Sequence, residues 1–430
     1  GVQQAIDIYN PSVVEVRDEK LKVMRSYMNA DPKTKIILAS SYAKTANYWK
    51  YYIGQTEQLI KNNVFEKKTD LESRFVNWVS KDEKRKSEYG ETLSLLKEYY
   101  SGSDSTVKNR VYLVEALITG PSSALFAYRA LGGLERALEN PAMLEKIRPR
   151  ILEGAKAHFS EFHAECDRDL MATLFKMYSN KISKYQQPDF LKKVKETDSS
   201  FEAYANRIYE TSIFMSEDRF MSFLLNPDSS TLADDPLVQI AKDFRKSYFG
   251  SMNEELSSKK EKGYRLLTKG LREMLPNEDW SPDANSTMRM TYGSIGSYEP
   301  KDGVTYDYYT TLSGVMEKED ETNPEFFVPK KLKELYQNKD YGQYADKNGD
   351  LPVGLISNND ITGGNSGSPL INAKGELIGV AFDGNWEAMS GDIFFEDQIQ
   401  RTISVDIRYV LFIVDKYAGA KHLIDEMVLN

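Results

Sequence analysis

Cysteine is almost absent from this sequence: its 430 residues include one, Cys166. A single thiol excludes a framework of disulfides within the chain and a zinc site built from several cysteines. Secretion is not excluded, because a large domain can fold around its hydrophobic core without disulfides.

Long apolar runs are also lacking. The nearest approach to one, residues 409–414, is far shorter than the roughly 18 residues that a membrane-spanning helix needs. The sequence has no initiator methionine and no N-terminal pattern typical of a secretory signal, and it begins at Gly1. We interpret it as a fragment or processed piece of a longer protein and predict no membrane span within it.

Positive charge is not in excess. The 65 acidic and 56 basic residues give a net charge of −9, and the two signs are interspersed. Nothing in this distribution indicates a groove for nucleic acid or a surface for anionic membranes, so we predict no nucleic-acid partner. With 40% hydrophobic and 28% charged residues, the chain has the composition of a soluble globular protein long enough for two or three domains.

The first two thirds of the chain have helical periodicity. Between about residues 11 and 278, apolar residues recur at helical spacing, and prolines after polar residues divide the segment into helices. The periodicity changes after Pro276, and residues 280–283 are predicted to be the seam between domains. We therefore predict an irregular all-α domain over residues 1–282.

The remaining residues, 283–430, have the alternation typical of β-strands. Strands are predicted at 287–292, 306–312, 353–357 and 403–407, and a β-hairpin at 369–382. A helix follows the last strand and is predicted to end at Gly419. The fold class predicted is multidomain, with α and β structure in separate parts of the chain.

One loop, residues 363–369 (GGNSGSP), carries the strongest chemical signal. Ser366 is flanked by small residues that allow a tight turn, so that its hydroxyl can be exposed. The N–H groups of Gly364 and Ser366 are suitably placed to stabilise an oxyanion, as an acyl-transfer nucleophile requires. The alternative is a plain Gly/Ser turn between two strands.

A serine nucleophile needs a general base, which is normally a histidine oriented by a carboxylate. The three histidines, His158, His163 and His422, all lie in segments predicted to be helical. His158 and His163 are five residues apart, which places them about 140° apart around a helix. No convincing base for Ser366 is therefore present within these residues.

Two groups of residues superficially indicate metal ligands. His163, Cys166, Asp167 and Asp169 lie close in sequence, but a second pair of ligands is missing. Residues 346–350 have the carboxylate spacing that opens a calcium loop, but the turn glycine and the closing glutamate are absent. We predict a β-turn there, and neither a metal nor an organic cofactor.

Four motifs together resemble one family. They are GGNSGSP at 363–369, AFDGNWE at 381–387, SVDIRYV at 404–410 and, in the helical part, ANYWKYYIGQ at 46–55. By these motifs the sequence resembles the bacterial dipeptidyl-peptidase 7/11 family of chymotrypsin-fold serine exopeptidases, and the dipeptidyl-peptidase 7 type more closely. The similarity spans essentially the whole chain.

The resemblance implies a double β-barrel peptidase with a large all-α cap domain inserted over the active site. Residues 1–282 would be the cap, and residues 283–430 the serine-bearing chymotrypsin-like antiparallel β-barrel with a C-terminal helix. The catalytic His and Asp of the family belong to the first barrel, upstream of the insertion. This chain would therefore lack those two residues.

The resemblance also implies substrate-binding residues. Asp383 resembles the carboxylate that receives the free α-ammonium of the peptide, and Asn47 of the cap resembles a second ligand for it. Gly384 occupies the position where acid-specific relatives carry arginine, and Phe382 lies beside it. A glycine leaves the pocket roomy and uncharged, so we predict a preference for apolar or aromatic residues before the cleaved bond.

The function predicted is a serine dipeptidyl-peptidase that releases N-terminal dipeptides from oligopeptides, with Ser366 as nucleophile. By the same resemblance we expect it in the periplasm or at the cell surface of a Gram-negative bacterium. The oligomeric state is left open, with a homodimer as one option. Two alternatives are kept: a non-catalytic module that binds peptides, and an unrelated helical scaffold with a fortuitous GNSGSP turn.

Overall fold

The computed structural model describes residues 1–278, 280, 285–323 and 325–430, and leaves aside the side chains of residues 141, 193 and 195–197. The chain divides into two units, Gly1–Trp280 and Ser281–Asn430. The first is helical and the second contains all strands of the described residues. The boundary predicted between residues 282 and 283 lies outside the described residues.

The first unit is built of α-helices, with π-helical turns at Ala5–Tyr9 and Leu113–Ile118 and 3-10 turns at Lys184–Gln186 and Ile213–Met215. Its α-helices are α1 (Val2–Gln4), α2 (Asn10–Ala30), α3 (Pro32–Lys61), α4 (Val64–Ser80), α5 (Glu83–Tyr89), α6 (Thr92–Tyr112), α7 (Ser122–Glu139), α8 (Pro141–Ser160), α9 (Ala164–Lys181), α10 (Asp189–Thr197), α11 (Phe201–Thr211), α12 (Glu217–Leu225), α13 (Ser229–Asp234), α14 (Pro236–Gly250) and α15 (Glu254–Met274).

Three of these helices begin at a proline that follows a polar capping residue. Asp31, Asn140 and Asp235 precede α3, α8 and α14, and their side-chain oxygens accept hydrogen bonds from backbone N–H groups two or three residues further on. Proline suits the first helical position because the N–H that it lacks would have no partner there. The helix breaks predicted at these places are confirmed.

Two hydrophobic cores hold the first unit together. The larger contains fully buried side chains from many helices, among them Leu117, Phe175 and Phe220. The smaller surrounds Phe75, on α4. Among the described residues no single helix is long and apolar enough to cross a membrane; only Glu83–Ile118 and Ser122–Glu139, bent by 96° at their break, meet those criteria as a pair.

The second unit contains seven described strands and four described α-helices. They are β1 (Tyr298–Lys301), β2 (Val304–Tyr306), β3 (Tyr309–Thr311), α16 (Leu312–Glu317), α17 (Lys330–Gln337), β4 (Pro352–Ser357), β5 (Pro369–Ile371), β6 (Leu377–Gly384), β7 (Thr402–Asp406), α18 (Ile407–Phe412) and α19 (Lys421–Asp425). Strands β1 and β2 form a small hairpin, and the other five form an antiparallel sheet in the order β3-β4-β7-β6-β5. The hairpin predicted at 369–382 is confirmed as β5 and β6.

The closed β-barrel expected for residues 283–430 is not found. In the described residues, β3 and β5 are the two edges of the sheet, and each has only three residues. A sheet closes into a barrel when its two edge strands pair with each other or through further strands. Here β3 does not pair with β5, and the chain passes directly from β3 into α16. The structure therefore shows an open antiparallel sheet followed by C-terminal helices.

The strand predicted at 287–292 is also not formed. Met288, Met290 and Tyr292 alternate as expected, yet they are 97%, 86% and 80% exposed. Alternation predicts a strand only if a neighbouring strand provides hydrogen bonds, and within the described residues this segment has no ladder partner. The first backbone pairing with a strand is the isolated antiparallel bridge between Ile295 and Ser357 of β4.

We expect Gly270→Ala to destabilise the helical unit, although alanine is the better helix former. A Cβ at Gly270 in α15 would lie 2.6 Å from Cε2 of the buried Phe75 ring, and such overpacking costs about 1–3 kcal/mol. Gly154→Ala is the matched control, because Gly154 in α8 has nothing within 4 Å of an added Cβ and should gain about 0.5–1 kcal/mol. Thermal unfolding followed by circular dichroism measures both, and a stabilised Gly270→Ala protein would contradict this packing.

Candidate active site

The loop that carries Ser366 lies between β4 and β5. Gly364 and Gly367 have φ values of +105° and +87°, in a region that residues with a Cβ rarely adopt. Ser366, between them, is exposed. The two glycines therefore permit the sharp turns that leave the serine at the surface, as the sequence predicted for a tight loop.

Three backbone N–H groups of this loop, those of Gly363, Gly364 and Ser366, have no partner among the described residues. The N–H of Asn365 donates to the carbonyl of Thr362 (3.2 Å) and that of Gly367 donates to the carbonyl of Ala381 (2.7 Å). The N–H groups of Gly364 and Ser366 donate to no described residue. Free N–H groups beside an exposed serine can donate hydrogen bonds that stabilise the negative charge developing on a carbonyl oxygen during acyl transfer.

Two backbone hydrogen bonds attach the loop to β6. The N–H of Gly367 donates to the carbonyl of Ala381, and the N–H of Ala381 donates to the carbonyl of Ser368 at 2.9 Å. Ala381 is 6% exposed and lies in the middle of the sheet. The pairing of β5 with β6 thus continues into the serine loop and places it beside residues 382–384.

A bulge in β6 follows immediately. Ala381 pairs with Ser404 of β7 and Asp383 with Ile403, so Phe382 is the extra residue. Regular alternation would direct Asp383 to the same face as the buried Ala381. The bulge instead leaves Phe382 and Asp383 both exposed, which is how bulges redirect side chains near sites.

Asp383 presents a carboxylate beside a glycine. Its Oδ1 accepts a hydrogen bond from the N–H of Gly384 at 2.8 Å, and its Oδ2 has no hydrogen-bond partner in the part of the chain that the structure describes. A Cβ at Gly384 would lie 3.1 Å from the Cβ of Ala388. The space beside Gly384 is therefore bounded by Ala388, and any side chain added there would have to displace it slightly.

Arg401 is a buried residue that holds the end of β6 in place through hydrogen bonds. It is 8% exposed, and its guanidinium donates five hydrogen bonds of 2.7–3.3 Å to carbonyl groups in segments 296–297 and 397–400. Burial lowers the pKa of Arg401. Its backbone N–H donates to Oδ1 of Asn385, and the N–H of Asn385 donates to its carbonyl, both at 2.9 Å. Asn385, next to Gly384, is thus held in place.

A second support lies on the other side of the serine loop. Thr362 donates its hydroxyl to Oδ1 of Asp392 at 2.7 Å and its N–H to Oδ1 of Asn365 at 3.1 Å. Burial and the charge of Asp392 raise the pKa of Asp360, which lies nearby. Sequence reasoning did not identify Thr362, Asp392 or Arg401, because no motif spacing connects residues that meet only through the fold.

Asn47 lies in the helical unit, on α3. Its side chain is exposed, and the neighbouring Tyr48 packs edge-on against Tyr51 with ring centroids 6.4 Å apart. The guanidinium of Arg17 lies 5.3 Å from the Tyr48 ring. Asn47 therefore stands at the edge of an aromatic surface of the helical unit, with its amide available for hydrogen bonds.

The three histidines have surroundings that do not involve Ser366. The His158 ring stacks on Phe126 with a centroid distance of 4.5 Å, and burial lowers its pKa to about 4. His163 caps α9, its Nδ1 accepting from the N–H of Cys166. His422 is exposed on α19. No described histidine is hydrogen-bonded to Ser366.

The residues considered as metal ligands have structural partners instead. The carboxylate of Asp167 is 3% exposed and accepts hydrogen bonds from the N–H and hydroxyl groups of Ser122 and Ser123, at the start of α7. Burial raises the pKa of the Cys166 thiol to about 12. In residues 346–350, Oδ1 of Asp346 accepts from the N–H groups of Asn348 and Asp350, which is the predicted turn.

An exposed serine with free backbone donors on an antiparallel sheet is the arrangement that serine-type acyl-transfer enzymes use. Comparison with known proteins places the chain more closely. A family model described as peptidase S46 matches residues 1–429. The chain belongs to the peptidase S46 family.

Its relatives include two kinds of dipeptidyl-peptidase. Dipeptidyl-peptidase 7 of Phocaeicola vulgatus is 41% identical over 436 residues. The Asp/Glu-specific dipeptidyl-peptidase of Flavobacterium psychrophilum is 36% identical over 437 residues. Each alignment covers 100% of this chain, and the chain spans 60% of the length of each relative.

A solved structure agrees with the fold. The crystal structure of DPP11 of Porphyromonas endodontalis in complex with the dipeptide Arg-Glu superimposes with a TM-score of 0.85 at 34% identity. The match covers 99% of this chain and 61% of that one. The likeness therefore extends over both units of this chain.

We expect Arg401→Lys to destabilise the second unit strongly. A lysine cannot satisfy carbonyl groups in two separate segments, and each hydrogen bond lost to a charged group costs about 1.5–3 kcal/mol. Arg408→Lys is the matched control, because Arg408 is 44% exposed and pairs with Asp406, so its loss should cost about 1 kcal/mol or less. Urea unfolding measures both, and equal effects would show that the Arg401 network is not a support.

Proposed function

We propose that this chain provides the nucleophile and the helical domain of a serine dipeptidyl-peptidase, which removes dipeptides from the free N-terminus of oligopeptides. One observation carries the proposal: the exposed Ser366 lies in a loop where its own N–H and that of Gly364 have no partner among the described residues, and this loop is attached directly beside the exposed carboxylate of Asp383. Membership of the peptidase S46 family supports it, as does the similarity to relatives that are named dipeptidyl-peptidases.

In the proposed reaction, Oγ of Ser366 attacks the carbonyl carbon of the second residue while a base takes the hydroxyl proton. The N–H groups of Gly364 and Ser366 donate to the resulting oxyanion. The C–N bond then breaks, and the leaving amine receives the proton. Water hydrolyses the serine ester, releasing the dipeptide and regenerating the hydroxyl. No metal or organic cofactor is required for these steps.

Asp383 sets the length of the product. Its exposed carboxylate binds the α-ammonium of the substrate through a charge-assisted hydrogen bond. Two residues of extended peptide span about 7 Å, so a carboxylate fixed on the bulge beside the serine loop selects the second peptide bond. The exposed amide of Asn47 is proposed as a second ligand of the same ammonium, with the helical domain acting as a cap.

The base and its orienting carboxylate are proposed to come from residues outside 1–430. Support comes from the described histidines, which pack or cap elsewhere, and from the greater length of the relatives. In the same proposal the open sheet is part of a chymotrypsin-like β-barrel, which its unpaired edges β3 and β5 would allow. Location in the periplasm or at the cell surface stays a prediction.

The residue before the cleaved bond is proposed to be apolar or aromatic. The chain is similarly identical to the two kinds of relative, at 41% and 36%. The proposed preference therefore depends on the residues of the pocket. Gly384 provides no charge, and its neighbour at 3.1 Å from an added Cβ is the methyl of Ala388. An acidic side chain would lose its hydration there without gaining a cationic partner.

The proposed nucleophile is testable with a fluorophosphonate probe on the intact protein. We expect labelling at Ser366, loss of labelling in Ser366→Ala, and a fall in dipeptide release of about a thousandfold or more. Ser368→Ala is the matched control in the same loop and should still be labelled. Peptides with an acetylated N-terminus should resist cleavage, because Asp383 would have no ammonium to bind.

An unlabelled protein that still binds peptides with a free N-terminus would favour the non-catalytic binding module instead. That alternative is kept because no described histidine is bonded to Ser366. Labelling at a different serine would contradict the assignment of the loop.

We expect Gly384→Arg to shift preference toward aspartate and glutamate before the cleaved bond. The guanidinium would pair with the substrate carboxylate, and the ratio of kcat/KM for acidic over apolar substrates should rise by about 10–100-fold. Gly384→Ala adds only the crowded Cβ and controls for the contact with Ala388. If Gly384→Arg still favours apolar dipeptides while remaining folded and labelled, the pocket assignment is wrong.

A further inference from the structure

The serine loop has few bonds on the side of its first turn. Gly364 and Gly367 confer backbone freedom on both sides of Ser366. After the serine, the loop is attached to β6 by two backbone hydrogen bonds through Ala381. Before the serine, the described bonds are those of Thr362 and the one that the N–H of Ser368 donates to the carbonyl of Asn365 at 2.9 Å. Gly364 lies between these two attachments, so the position of its N–H depends in part on how firmly Thr362 is held.

Thr362 is held in two directions. Toward the serine it forms a reciprocal pair with Asn365: the N–H of Thr362 donates to Oδ1 of Asn365 at 3.1 Å, and the N–H of Asn365 donates to the carbonyl of Thr362 at 3.2 Å. Away from the serine its hydroxyl donates to Oδ1 of Asp392 at 2.7 Å. The second bond is charge-assisted and thus stronger than a neutral one.

Asp392 belongs to the segment that follows Gly384. This segment contains the 3-10 turn Trp386–Ser390 and is closed by backbone bonds from Gly391 to Ala388 and from Ile393 to Ser390. Its first residue, Asn385, is bonded to Arg401, the residue directly before β7. Asp392 is exposed, but backbone hydrogen bonds restrain the residues on either side of it, whereas the N–H and carbonyl groups of Gly363 and Gly364 bond to no described residue.

The side chain at position 365 is an amide, so no ion pair holds this turn. Asn365 accepts one backbone N–H and carries no charge. The only charged group bonded to the described residues 362–365 is Asp392. The carboxylate therefore restrains the turn through Thr362 rather than by direct contact with the residue next to the serine.

We propose that Thr362 and Asp392 are positioning residues that hold the N–H of Gly364 in place for the oxyanion. This inference rests on the proposed function. It predicts an effect on the transition state and little effect on the bound ground state, because the substrate carbonyl takes full negative charge only after attack. Loss of the hydrogen bond between Thr362 and Asp392 should thus lower kcat and leave KM nearly unchanged.

Thr362→Val tests the role of the hydrogen bond between Thr362 and Asp392 in the intact protein. It removes the hydroxyl, conserves the shape and retains the N–H that bonds Asn365. We expect kcat, counted per fluorophosphonate-labelled site, to fall on the order of tenfold, less than the loss of a whole oxyanion donor. Thr362→Ser retains the hydroxyl and should restore kcat to within about twofold of the wild-type value, because the expected tenfold fall corresponds to about one hydrogen bond.

The partner residue and a matched control complete the experiment. Asp392→Asn removes the charge while leaving an acceptor, so it should lower kcat less than Asp392→Ala. The double variant Thr362→Val with Asp392→Ala should lose little more than either single variant, since both remove the same bond. Thr322→Val is the control, because Thr322 makes the same kind of bond to Asp320 at 2.6 Å elsewhere in this unit, and its kcat should not change.

A binding measurement separates positioning from a purely structural role. A dipeptidyl aldehyde, which forms an oxyanion with the serine, should bind Thr362→Val about tenfold more weakly, while the product dipeptide binds equally well. Unchanged kcat per labelled site in Thr362→Val, or no recovery in Thr362→Ser, would overturn the inference. If the wild-type protein is neither labelled nor active, the proposed function itself fails, which is a distinct result.

Discussion

The backbone hydrogen bonds of Ala381 are the constraint on which the candidate site depends. They continue the pairing of β5 and β6 into the serine loop, so the exposed hydroxyl, the free N–H groups and the bulge of β6 are positioned as one unit. Backbone bonds do not depend on side-chain rotamers, and a buried strand residue changes position little. The chemistry of the loop thus rests on the backbone of a buried strand residue.

The same corner combines freedom with restraint. Gly364 and Gly367 adopt conformations that would strain other residues, and this freedom would cost precision if nothing opposed it. The hydrogen bonds of Ala381 and Thr362 restrain the loop itself. Arg401 restrains the adjacent strand end by bonding Asn385 and the carbonyl groups of segments 296–297 and 397–400. A guanidinium suits this role because its five donors point in fixed directions.

Local patterns predicted much of the fold. The capped prolines at Pro32, Pro141 and Pro236 start helices because capping depends on residues two or three positions apart. The β5–β6 hairpin was predicted for the same reason, since its turn lies within a few residues. The strand predicted at 287–292 and the closed barrel failed because each depends on a partner strand that is not adjacent in sequence.

The sequence by itself determined which residues are small, polar or apolar along the chain, and therefore the helical part, most strands and the serine loop with its two flanking glycines. Only the tertiary structure decided that Asp383 faces outward, since that depends on the register of β6 against β7. It also decided that Asp392 meets Thr362 and that Arg401 lies beneath Asn385. Hydrogen bonds between distant segments form once the sheet has aligned them, and no local periodicity encodes that alignment.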